Sequence, residues 1–315
     1  MTVRLAQTAA ARQRALEVLA EQSDSGIPVI PERIAAEFPL PLPISSSSGF
    51  PPRVYGALYK IGNDFSIVLS AECPTEGHRR FTLSHELGHF FLDGHLEELF
   101  DRGAQVHLSD TDHFRGLRKP WFEAEADAFA AELLVPSPRA AKLLQRTQQG
   151  LESVHAIANT FDCSLSCAGI RYTELTSEPA AVVLSHEGAV EWVALSESMR
   201  EHWWARRTMK GEWAPPRSAS AALARNPGRI LNSEVVSAEG LLIEWFEKGP
   251  ATPITEEAIG LGSYGRVLTV LTCASLPSPD ELRYEEERRA RKETDWREAR
   301  GWQWDSYDSV DDDEY

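Results

Sequence analysis

Arg80-Phe-Thr-Leu-Ser-His-Glu-Leu-Gly-His-Phe-Phe-Leu92 is the stretch on which the reading of this chain turns. Phe81, Leu83, Leu87, Phe90 and Phe91 recur at near-helical spacing with polar residues between them, which predicts a helix. His85 and His89 then leave one face about a turn apart, so both imidazoles can reach one ion. Glu86 lies beside that face, placed to take a proton from water instead of ligating, the chemistry attached to His-Glu-x-x-His on a helix. Gly88 costs a helix roughly 1 kcal/mol relative to alanine, which points to close approach of another backbone or of substrate. An isolated motif of this kind is often an ordinary helix with surface imidazoles, so its context decides.

That context lies downstream. Residues 121–135 form an alanine-rich run that reads as a second helix ended by Pro136, and Glu123-Ala-Glu-Ala-Asp127 opens it. Glu123 and Asp127 share a face that Ala126 and Ala130 continue, and small residues let two helices pack closely. Glu123 can complete a His2Glu zinc site with the fourth position open, while Asp127 accepts a hydrogen bond from the far nitrogen of a ligand histidine. Glu125 points roughly opposite and is a weaker ligand candidate. His95 falls ten residues after His85, the third-histidine place of HExxHxxGxxH, but Leu92 stands at the glycine position and Gly94 comes too late for that turn. Tyr59, His107 and His113 are candidate oxyanion-stabilising donors.

With 315 residues, 42% hydrophobic and 25% charged, the chain has the composition of a folded protein large enough for two domains. A net charge of -16 disfavours nonspecific binding to DNA or to an anionic membrane surface. No apolar run approaches the roughly 18 residues needed to span a bilayer, and the N-terminal residues lack the apolar core of a signal peptide, so a cytoplasmic protein is expected. Four scattered cysteines, Cys73, Cys163, Cys167 and Cys273, exclude a disulfide scaffold and read as buried thiols.

Along the chain, residues 1–22 read as an amphipathic helix, 26–31 as an extended linker, 32–38 as a short helix and 39–48 as a Pro/Ser tether. Residues 54–59 and 65–69 suggest a hairpin, whose exposed edge could pair with an extended peptide. Residues 96–120 read as a loop or lid, and 137–145 as a third helix. Residues 154–161 and 164–175 have helix-turn-helix spacing, yet Arg171 is their sole permanent positive charge, so direct nucleic-acid binding is disfavoured. Beyond residue 179 the expectation is a hairpin at 181–194, helices at 203–207 and 219–224, and strands at 241–246 and 266–273. A charged helix at 279–300 and an acidic disordered tail at 305–315 follow.

The pair of segments from Arg80 to His89 and from Glu123 to Pro136 resembles the ImmA/IrrE family of metallopeptidases over roughly residues 10 to 175. The resemblance implies a zincin-like fold, zinc on His85, His89 and Glu123, and Glu86 as catalytic base. Known members cleave helix-turn-helix repressors and so derepress DNA-damage-response or mobile-element genes, which implies a repressor as protein substrate here. The expected fold is α+β. A mainly helical zincin-like domain with a small sheet fills residues 1–178, including the helix-turn-helix-like 151–176. A smaller α+β domain, a candidate sensor, follows at 179–277, and the charged helix and tail fill 278–315. The alternative is a noncatalytic module that binds and sequesters a transcription factor.

Overall fold

Helix α1 (Thr8–Glu21) turns Ala11, Ala15, Val18 and Leu19 inward, and α2 (Pro31–Glu37) opens on a proline whose missing N–H a first helical turn does not need. The computed structural model describes residues 5–22, 26–37, 42–110, 119–206 and 209–278, with scattered positions between 280 and 296. The expected Pro/Ser tether needs correction: Ile44–Ser47 is strand β1, paired in parallel with Ile67–Ser70. Backbone pairing does not depend on side-chain type, and the serines of this edge strand face solvent, so composition hid the strand.

Strands β2 (Val54–Ile61) and β3 (Asp64–Ser70) form the expected hairpin and lead into α3 (Glu76–Phe91), whose N-cap Thr75 accepts a hydrogen bond from His78 N–H. Residues 96–120 are not simply a loop. They include most of α4 (His95–Leu99) and all of β4 (Val106–Asp110), which pairs antiparallel with β2 and makes a sheet ordered β1-β3-β2-β4. Helix α3 lies on this sheet with α5 (Trp121–Leu134) beside it, and α1 covers α5. Leu58, Ile67, Leu69, Leu83, Leu87, Phe129 and Leu133 fill the space between them.

Next come α6 (Ser137–Leu144), α7 (Leu151–Phe161) and α8 (Leu165–Leu175), the last two joined by the expected tight turn. Arg171 of α8 is only 1% exposed and donates to Glu132, the Val135 carbonyl, Ser137 and Glu174. It is committed to the interior and offers no charge to a phosphate backbone.

Hairpin β5 (Ala180–His186) and β6 (Ala189–Leu195) follows as expected, then α9 (Glu197–Arg200), a 3-10 turn at Trp203–Arg206, α10 (Ala219–Ala224) and α11 (Pro227–Leu231). Strand β7 (Val235–Leu241) ends where a strand was expected to begin. Leu242–Trp245 is instead a helical turn, α12, which buries Leu242 and Trp245. With β8 (Pro253–Gly260) and β9 (Arg266–Thr272) these strands make an antiparallel sheet ordered β6-β5-β9-β8-β7. One apolar core joins α7 and α8 to this sheet, with Val154, Ile157, Phe161 and Tyr172 against Val182, Leu268 and Val270. The architecture is α+β. Half of the expected charged helix at 279–300, and all of the acidic tail at 305–315, lie outside the described residues. No described helix is long and apolar enough to cross a membrane.

Candidate metal centre

The two helices that carry the motif residues touch where their side chains are smallest. A methyl group on Gly88 would meet the Ala126 Cα and carbonyl oxygen and a Phe129 ring carbon, each at 3.2 Å. Closeness at this point lets short side chains from α3 and α5 converge. His85 and His89 of α3 bring their Nε2 atoms to 3.0 Å from each other. Glu123 of α5 places one carboxylate oxygen 3.2 Å from His85 Nε2 and the other 3.6 Å from His89 Nε2. All three side chains are buried.

Two tests ask whether a metal fits. Donor atoms on a tetrahedron with bonds of ~2.0–2.1 Å stand about 3.3 Å apart, and the three separations straddle that value. The second test is electrostatic. Asp127 Oδ1 lies 2.8 Å from His85 Nδ1, so that nitrogen donates and leaves a lone pair on Nε2. A carboxylate and lone-pair nitrogens facing one another in a dry site require a cation between them. In the chain alone a proton plays that part. Burial opposes charge on His85, but Asp127 and Glu123 outweigh it and its pKa is pushed up to about 10. Glu123 stays ionised well below the ordinary carboxylate range, because His107 and His85 overcome the burial that would raise it. Burial, reinforced by His85, pushes the His89 pKa down and keeps that imidazole neutral, the form that ligates.

Glu86 stands apart from this cluster. It is 0% exposed, and neither carboxylate oxygen makes a hydrogen bond of good geometry among the described residues. Burial raises its pKa against the pull of neighbouring His85. Strand β2 makes room for it through Gly56, where an added Cβ would come within 2.5 Å of Glu86 Oε1. A buried carboxylate whose basicity burial raises despite the pull of His85 and the Ser109 hydroxyl is poised to take a proton.

His85, Glu86, His89, Glu123 and Asp127 are thus brought together, and Lys119 also bonds Asp127. His107 of β4 lies against the cluster, its Nε2 3.0 Å from Glu123 Oε1, whereas His113 is outside the described residues. Tyr59 pairs with Ser66 and Val106 in the sheet and has no contact with the cluster among those described. Neither rival ligand joins it: His95 and Glu125 sit behind His89 and bond to each other at 3.0 Å. Gly94 does turn the chain, at φ 81°, but delivers His95 to the far side of the ligand ring. Sequence spacing showed a histidine within range without showing which nitrogen of His89 it would face. A cleft of about 1810 Å³ between the α7–α8 turn and the second sheet contains none of the clustered residues.

Residues 50–173 match the family model Peptidase_M78, IrrE N-terminal-like domain. This segment is similar to the IrrE N-terminal domain. The resemblance carried by the Arg80–His89 and Glu123–Pro136 segments is thereby borne out, and the matched family is a metallopeptidase family. A solved structure of a Mycobacterium tuberculosis transcriptional regulator matches with a TM-score of 0.50 at 13% identity, over 87% of this chain and 82% of that one. At that identity the likeness is one of fold. A search of curated proteins finds no match. Within the matched span, β2, β4, α3 and α5 supply Gly56, His107, His85, Glu86, His89, Glu123 and Asp127, so that span contains the candidate site.

Proposed function

We propose that the protein is a zinc-dependent endopeptidase whose ion is held by His85, His89 and Glu123. The observation that carries this reading is the division of labour among four buried groups. Three converge on one point, and Glu86, adjacent in sequence to His85, is buried beside them with no hydrogen bond of good geometry among the described residues. Bound zinc would supply a Lewis acid that acidifies water and polarises a peptide carbonyl. Glu86 takes the proton from the attacking water and hands it to the departing amine, a role suited to a carboxylate whose basicity burial has increased. Asp127 fixes the His85 ring. His107, on the strand beside the site, is the candidate donor to the developing oxyanion.

Substrate binding follows from the sheet. Strand β4 lies at the end of the order β1-β3-β2-β4, with Val106 and Leu108 exposed, so an extended peptide can add to its free edge beside His107. A helix-turn-helix repressor is the substrate supported by the ImmA/IrrE resemblance, and the transcriptional regulator of similar fold agrees with a regulatory setting. Residues 1–178 are read as the zincin-like peptidase domain, 179–277 as the sensory domain and 278–315 as an appended charged segment, in a protein of the cytoplasm.

The test is Glu86→Gln in the full chain, incubated with a helix-turn-helix repressor encoded beside it. Cleavage falls by about 10²–10⁴-fold while one equivalent of zinc stays bound. A variant that cleaves at the wild-type rate refutes the assignment, and a wild type that only forms a complex with the repressor supports sequestration instead.

A further inference from the structure

We propose that His95 and Glu125 form a positioning chain that aims His89 at the metal, an inference that rests on the metal-site reading above. The ring of His89 has one nitrogen, Nε2, in the cluster, and the other, Nδ1, 3.0 Å from His95 Nδ1. The opposite nitrogen of His95 lies 3.0 Å from Glu125 Oε2. Glu125 Oε1 in turn accepts the backbone N–H of Gln7 at 2.8 Å. His89 and His95 are 0% exposed and Glu125 is 3% exposed, so water cannot substitute for any of these partners.

The order of donors follows from the far end. A carboxylate only accepts, so His95 must carry its proton on Nε2, which leaves Nδ1 as an acceptor. His89 must then donate from Nδ1, and its Nε2 presents a lone pair to the cluster. Asp127 does the same for His85 directly. Here the carboxylate is one residue too far away and an imidazole bridges the gap. Gly94 and Trp121 hold the bridge: the first turns the chain at φ 81°, and the second packs edge-on against the His95 ring at 5.1 Å. Since Gln7 immediately precedes α1, the N-terminal helix is tied to the orientation of a ligand.

The experiment measures zinc affinity, by competition with a chromophoric chelator, and the visible spectrum of the cobalt(II)-substituted protein. Both are taken on the full chain as wild type, His95→Phe, His95→Gln and Glu125→Gln. His95→Phe keeps the volume without the acceptor and is expected to weaken zinc ~10–100-fold and alter the cobalt bands. His95→Gln offers an oxygen toward His89 and an N–H toward Glu125, and should return affinity to within about threefold of wild type. Glu125→Gln has one acceptor oxygen where two are used, and should weaken zinc by about tenfold or more. Equal affinities for His95→Phe and His95→Gln would mean simple packing and overturn the proposal. If His95→Phe does not fold, wild-type affinity in the isosteric Glu125→Gln overturns it. A wild type that binds neither ion refutes the metal site as well, whereas tight wild-type binding with undiminished variants refutes only the chain.

Discussion

Gly56→Ala tests the placement of Glu86 by adding one carbon. The new Cβ would stand 2.5 Å from both Glu86 Oε1 and Thr82 Cγ2, and reaching the 3.0 Å below which such contacts are essentially never seen requires 3.0 - 2.5 = 0.5 Å of movement. Thr82 yields poorly, because it is β-branched and its hydroxyl donates to the His78 carbonyl at 3.0 Å. Strand β2 yields poorly too, since β3 and β4 pair with it on both edges. Glu86 therefore shifts to relieve its own contact, while the Thr82 contact has to be shared between small movements of β2 and α3. A misplacement of about 1 Å can cost 10²-fold in rate, so half of that suggests a roughly tenfold fall in kcat. Overpacking costs about 1–3 kcal/mol, offset by up to ~1 kcal/mol from the loss of glycine's freedom in the unfolded chain. The net loss of up to about 3 kcal/mol lowers Tm by up to roughly 12 °C. The three atoms nearest the added carbon belong to Glu86 and Thr82 and none to His85, His89 or Glu123, so zinc affinity should stay within about threefold. Repressor cleavage, differential scanning calorimetry and chelator competition measure the three quantities. Wild-type kcat in a folded Gly56→Ala variant would show that Glu86 is either not confined by β2 or not the base.

Other perturbations separate the remaining roles. Glu123→Gln should remove stoichiometric zinc binding, read by metal analysis after dialysis, because a neutral amide cannot balance the ion that the clustered donors require. Asp127→Asn should weaken zinc ~10–100-fold in chelator competition while leaving the fold intact; undiminished affinity would mean that the His85 ring is held by other contacts. Arg171→Leu should lose up to about 3–5 kcal/mol in urea unfolding, because the buried Glu132 is left with the longer Arg12 contact, at 3.5 Å, as its charged partner. The wild type should give no salt-dependent mobility shift with duplex DNA, in keeping with the burial of that arginine.

The residues of the candidate site were legible where geometry is local. His85 with His89, and Glu123 with Asp127, each lie four apart within one helix, so helical periodicity alone puts each pair on one face. Gly88 and the alanines of α5 also announced that the two helices meet. The supporting residues depend on tertiary choices that no short window contains. His107 reaches the cluster only because β4 pairs with β2, and His95 bonds to Glu125 only because the chain reverses at Gly94. At Ser45 to Ser47 side-chain composition suggested a tether, while the free backbone edge of β3 made a strand. At Leu242 to Trp245 an apolar run long enough for either form became a helical turn, since β7 had already ended at Leu241.

The apolar core shared by α7, α8 and the second sheet constrains how this protein can be taken apart. A fragment ending at residue 178 would keep Val154, Ile157 and Tyr172 but lose the Val182, Leu268 and Val270 that cover them. Its raw oily flank would invite clumping, so a solubilised N-terminal half needs charged replacements along that seam. By the same joinery, β5 and β9 bear on α7 and α8, the helices that follow the pair carrying the candidate site, so a displacement in the distal half has a packed route to the proximal one.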